Sequence, residues 1–149
     1  MNLKILNSKE IKEIKVIIKN QWGCDFKTDL AFLLSSNNRI YVVSRDIAKV
    51  DMSKLNIEVI GSYFGELKDE QLRLSIEGSQ LIGLIAKKNV VELDDNEYRT
   101  WLKGFDLQKE TAAEGFVILK HRNDFLGTGR VKEGEILNFV PKNRRILSD

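Results

Sequence analysis

Residues able to do chemistry are few in this chain and lie far apart. Cys24 and His121 are the only members of their types. Cys24 stands beside Asp25 just past a helix pattern, and a neighbouring carboxylate disfavours thiolate. A buried, neutral thiol is the expectation. One cysteine and one histidine also leave little for a zinc site. The carboxylate pairs Asp69-Glu70 and Asp94-Asp95 fit a turn and a helix cap better than an acid–base pair. Gly127-Thr128-Gly129 opens no helix and lacks a third glycine, so it is not a dinucleotide loop. The expectation is a protein that is not an enzyme, with no catalytic residues, cofactor or metal.

What remains is cationic. Lys120, Arg122, Arg130, Lys132, Lys142, Arg144 and Arg145 lie within residues 115–149, against four acids. Guanidinium groups offer paired donors that fit a phosphate, and lysine supplies a mobile charge. Several such contacts together give affinity for a nucleic-acid backbone. The alternative is ordinary surface charge, offset by Asp124, Glu133 and Glu135. The whole chain has 24 basic and 22 acidic residues, and this balance does not itself point to nucleic acid. A second row, Lys9, Lys12, Lys15 and Lys19, reads first as the solvated face of a helix. His121 is placed at a hairpin tip, where it either stacks on a base or has no role.

The elements that must position these groups follow from periodicity. Residues 115–121 alternate as a strand, Asn123-Asp124 turns, and 125–131 returns. Gly127 and Gly129, two apart, share a face; they admit a close backbone or let the sheet bend. Glu133-Gly134 is a second turn and 136–140 a third strand. Pro141, the only proline, ends pairing because it has no N–H. Three short curved strands and a basic exit read as a small barrel with a positive rim.

Upstream, Asn7 and Glu10 form a capping box, and Ile11, Ile14, Ile18 and Trp22 make a core-facing stripe ending at Gly23. Residues 29–35 and 39–44 form a hairpin around Ser36-Asn37-Asn38. Ser44 caps a short helix through Ile47 and Val50. Strands are expected over 57–63 and 71–76, with a bulge or bend at Gly61 and Phe64-Gly65, then a helix over 78–87 between layers. Past a join at 86–89 come a strand at 90–93, a helix over 95–103 capped by Asp94 and Glu97, and a polar connection over 107–114.

The fold class is therefore α+β. A mixed α/β domain with an antiparallel sheet, residues 1–86, precedes a small β-barrel domain, residues 87–149. The second is expected to build its own core from Val91, Tyr98, Trp101, Leu102, Val117, Leu119, Leu126 and Leu137. Proteolysis is expected first at 86–89 or 107–114, unless an interface protects the join. One cysteine fits a reducing compartment, hence a cytoplasmic location. The lysine-bearing start does not read as a signal peptide, and no apolar run nears the roughly 20 residues of a membrane span.

Three motifs carry a resemblance: Gly115-Phe116-Val117, Phe125-Leu126-Gly127-Thr128-Gly129 and Leu137-Asn138-Phe139-Val140-Pro141-Lys142. Together they resemble a PUA domain, the RNA-binding barrel named after pseudouridine synthases and archaeosine transglycosylases. Ile40-Tyr41-Val42-Val43-Ser44, Gly61-Ser62-Tyr63-Phe64-Gly65 and Leu72-Arg73-Leu74 are similar to the pre-PUA domain of an archaeal and eukaryotic large-subunit ribosome-biogenesis family. The ending also resembles the PUA appendage of rRNA 5-methylcytosine methyltransferases. The resemblance implies binding of structured RNA, ribosomal RNA in particular, beside the Gly-Thr-Gly strand and the basic exit. It implies partners among assembly factors or an RNA methyltransferase. A protein–protein adaptor is the remaining alternative.

Overall fold

The computed structural model describes residues 3–45 and 61–146. The helix expected after Ser44 and the first part of the strand expected over 57–63 lie outside the described residues.

Helix α1 (Ser8–Trp22) starts at the expected capping box: Glu10 N donates to Asn7 Oδ1 at 2.9 Å and Asn7 N to Glu10 Oε1 at 3.1 Å. It ends at Gly23, whose φ of 68° is left-handed and whose N–H returns to Lys19 O. Its buried stripe, Ile14, Ile18 and Trp22, packs on an antiparallel sheet of β1 (Leu3–Ile5), β2 (Ala31–Ser35), β3 (Arg39–Val43), β4 (Ser62–Lys68) and β5 (Gln71–Leu74), in that order. The expected bulge is present. Ile40 opposes Gly65 while Tyr41 opposes Tyr63, so Phe64 is the extra residue, within a continuous strand. The side-chain amide of Gln21 exchanges two hydrogen bonds with the Leu72 backbone, at 3.0 and 2.7 Å, and covers part of the free edge of β5.

Helix α2 (Ile76–Ile82) begins earlier than the apolar run suggests, because Ser75 is a cap: Gly78 N donates to its Oγ at 2.9 Å. Gly83 closes it, several residues short of the expected end. The helix lies between the two sheets. A Cβ on Gly78 would come within 2.1 Å of the Phe64 carbonyl oxygen. A Cβ on Gly83 would come within 2.3 Å of the Phe125 ring.

The second half holds β6 (Val90–Glu92), α3 (Asp95–Leu102), β7 (Leu107–Gln108), β8 (Phe116–His121), β9 (Asp124–Lys132) and β10 (Glu135–Asn138). The sheet order is β6-β8-β9-β10-β7, with β6 parallel to β8 and the other pairs antiparallel. It curls as a half-barrel whose edges are β6 and β7. Strand β7 falls within the stretch expected to be a polar connection, and Leu107 is its buried anchor. Helix α3 has its expected capping box from Asp94 and Glu97.

Alternation along β8 splits the hairpin between two cores. Val117 and Leu119 join Val91, Trp101, Leu126 and Ile136 in the core of the second half. Phe116 and Ile118, with Phe125 of β9, face the other way and complete the core of the first half. Ile136, not the expected Leu137, is fully buried. The two-residue turn at Glu133-Gly134 pairs Glu135 with Lys132, and that register decides which residue of β10 points inward. The join is pinned rather than loose: Lys87 N donates to Trp22 O at 2.8 Å, and Asn89 Nδ2 donates to Gln21 O at 2.6 Å.

The hairpin tip is Arg122-Asn123, one residue earlier than expected, with Arg122 at φ 55°. His121 is thereby drawn off the tip and is buried. It stacks on Tyr98 at 3.9 Å between ring centres and shares a 2.8 Å hydrogen bond with Asp95 Oδ1. Its surroundings explain it as a clamp between β8 and α3. The His121 bond, reinforced by Arg122, holds the Asp95 carboxyl below its ordinary range.

Two outcomes are expected. Gly78→Ala forces backbone against backbone and should cost on the order of 1–3 kcal/mol. Urea unfolding should show this as a lowered midpoint, with both halves lost in one transition because they share a core. Asp95 has a depressed folded value, so its contribution is present above the ordinary carboxylate range and is lost as pH falls through the folded value. The urea midpoints of wild type and Asp95→Asn should therefore differ at about pH 7 and converge near about pH 2.

Candidate nucleic-acid interface

The seven basic residues do not line one rim. Lys120 opposes Phe125 and Arg130 opposes Phe116, four residues apart on β8 and so about 13 Å apart along the strand. Lys120 Nζ lies 5.6 Å from the centre of the Phe125 ring. Arg122, at the tip, reaches Asp95 at 3.5 Å. Arg130 lies over Phe116 at the other end of the hairpin, and Lys132 is exposed opposite Glu135.

The exit past Pro141 is not extended. Lys142–Arg144 form a 3-10 turn, so Lys142 and Arg144 do not share a side as they would along a strand. Lys142 stays exposed. Arg144 crosses to the first half and pairs with Glu77 at 2.8 Å. Arg145 turns inward, and its Nε donates to Val140 O at 3.0 Å. Its guanidinium covers Gly104, where an added Cβ would lie 2.4 Å from Nε. Arg145 therefore braces the C-terminal segment against the end of α3.

The two glycines do not share a face; Gly127 lets the strand bend, as expected of one of them, whereas Gly129 makes room chiefly for side chains. Gly127 has φ 90° at a bulge where β9 carries one residue more than β8, and its N–H donates to Ser79 Oγ at 2.8 Å. Gly129 admits Trp101: a Cβ there would be 2.6 Å from the indole and from Ile136. Gly127 borders the surface groove described next; Gly129 belongs to the core.

That groove, about 490 Å³, runs between the two halves. Strand β4 and the β5–α2 turn form one wall, and β9 with the exit forms the other. Arg39, Arg73 and Arg144 line it, with Glu77 as its acid among the described residues. Its aromatic lining is Tyr63 and Phe139. The Arg73 guanidinium lies 4.6 Å from the Phe139 ring centre and pairs with Glu66 at 2.9 Å; Arg39 lies 5.9 Å from the Tyr63 ring. Antiparallel pairing places these groups: Arg39 opposes Glu66, and Glu66 opposes Arg73. Burial pushes the Tyr63 phenol upward in pKa, so it stays a hydrogen-bond donor.

Arg39, Arg73, Tyr63 and Phe139 were not among the expected RNA-binding residues, although the last three stand in the motifs that carry the resemblance. A signal existed in the strands, where Arg73 alternates with Leu72 and Leu74 and so must face outward. Cys24, by contrast, is as expected: it is buried, and desolvation followed by the Asp25 charge raises its thiol pKa. No helix among the described residues is long and apolar enough to cross a membrane.

No curated protein matches the chain. Residues 88–146 match the family model described as the methyltransferase RsmF PUA domain. The matched segment takes in the whole curled sheet, α3 and the basic exit, so the second half of the chain carries a PUA domain.

Proposed function

We propose that this protein binds structured RNA without catalysing a reaction on it, and that its target is ribosomal RNA during subunit assembly. The PUA match over residues 88–146 is the observation that carries this reading. The basic exit beside an open groove supports it, since phosphate contacts supply most nucleic-acid affinity. Absence of catalysis is supported by the buried, raised thiol of Cys24 and by the engagement of His121 in packing.

A second reading rests on one observation, that the matched model is a methyltransferase's PUA domain. Under it the chain is the RNA-binding part of an rRNA 5-methylcytosine methyltransferase system. Co-purification with such an enzyme would favour this reading over a free-standing assembly factor.

Fluorescence anisotropy with a labelled RNA hairpin at low salt tests the proposal. Lys142→Ala with Arg144→Ala should weaken binding by roughly tenfold or more and lower the salt slope by about one unit per lost contact. Arg145 is left intact because it is a brace. Replacing Lys9, Lys12, Lys15 and Lys19 by alanine should cost much less. No binding to any structured RNA would sink the proposal, and loss only in the helix variant would move the interface to α1. Calorimetry with S-adenosylmethionine should give no binding heat; micromolar binding would overturn the non-catalytic reading.

A further inference from the structure

The groove is not made by either half alone. Arg39, Tyr63, Arg73 and Glu77 precede the PUA match, whereas Phe139 and Arg144 lie within it. Its volume of about 490 Å³ falls in the range of small-ligand sites, roughly 300–1,000 Å³. A paired RNA helix keeps its bases stacked inside and presents mainly backbone and a shallow minor groove to a protein. An unpaired nucleotide can turn its base outward into a site of this size.

The lining suits such a nucleotide. Tyr63 and Phe139 are both half-buried, so each ring is held in place while part of it borders the groove. Bases stack on aromatic rings and on guanidinium planes. The guanidinium groups of Arg39 and Arg73 lie 5.9 and 4.6 Å from the centres of these rings, so a base that enters takes over the ring faces and leaves the guanidinium donors beside it for its phosphate. Three arginines against Glu77 leave the described lining cationic. Arg144 is held by Glu77 through a half-exposed ion pair, and such a pair is worth little, so a phosphate can replace the carboxylate. Arg73 and Arg144 already have the carboxylates of Glu66 and Glu77, so a purely apolar ligand would leave the Arg39 charge unmet, and an anionic peptide would leave the aromatic surface without a planar partner.

We infer that the groove between the halves seats an unpaired nucleotide of the bound RNA. Its base lies against Tyr63 and Phe139, and its phosphate meets Arg39, Arg73 and Arg144. This rests on the reading that the protein binds RNA and adds that single-stranded character next to the structured element is what it selects.

The test compares two RNAs by fluorescence anisotropy, one a blunt hairpin and one the same hairpin with an unpaired tail of a few nucleotides. The wild-type protein should bind the tailed RNA more tightly by about tenfold or more, since one base–aromatic stack is worth that much. Arg39→Gln removes an exposed charge, and Phe139→Leu keeps an apolar side chain of similar bulk while removing the ring. Both should bring the tailed-to-blunt ratio toward one, with folding checked by thermal melting. Should Phe139→Leu fail to fold, Arg39→Gln alone decides. A wild-type ratio near one, or a ratio unchanged by Arg39→Gln, overturns the inference while RNA binding stands. Binding to neither RNA overturns the RNA reading and the inference with it.

Discussion

The contact of α2 with strands β4 and β9 is the constraint on which the rest of the structure depends. Two glycines make it possible. Without a Cβ, Gly78 lets the helix lie against the Phe64 carbonyl, and Gly83 lets the Phe125 ring cross its end. The polar groups at this seam are satisfied across it: Gly127 N–H bonds to Ser79 Oγ at 2.8 Å, and Thr128 Oγ1 to Leu74 O at 3.0 Å. Buried donors left unmet would each cost on the order of 1–3 kcal/mol, so these bonds fix the relative position of the sheets. The bulge at Phe64 sits on one side of the helix and the bulge at Gly127 on the other. Each bends its strand at the point where the helix must be accommodated.

The groove is a by-product of the same seam. The cleft opens beside the seam that α2 makes, and Leu126–Thr128 of β9 line it there. Arg144 then reaches across to Glu77. Exposed ion pairs contribute little to stability, so this one is better placed to be exchanged than to hold the halves together. The held contacts lie deeper, in Phe116, Ile118 and Phe125, which the second half contributes to the core of the first.

Local features were legible in the sequence where local physics decides them. Both capping boxes, the Gly23 stop, the β2–β3 hairpin and the bulge near Phe64 depend on a few adjacent residues, and all are present. The resemblance of the second half to a PUA domain rested on several spaced motifs and agrees with the family match. What depended on register was harder. Ile136 displaced Leu137 from the core because a two-residue turn sets the parity of β10. His121 left the hairpin tip because the turn falls one residue earlier. The groove could not be read from local spacing at all. Its walls come from residues separated by about fifty positions or more, and nothing in the alternation around Arg39 or Arg73 shows that Phe139 will face them. Counting charges likewise could not separate Arg145, a brace on a carbonyl, from Lys142, an exposed cation.

Amide chemical-shift mapping with a short single-stranded RNA tests the shared groove most directly. Addition of the RNA should move the signals of Arg39, Tyr63, Gly127, Phe139 and Arg144 together, drawing on both halves of the chain at one midpoint. Shifts confined to the outer face of α1, or to the Arg122 tip with the groove residues unmoved, would contradict a binding seat between the halves.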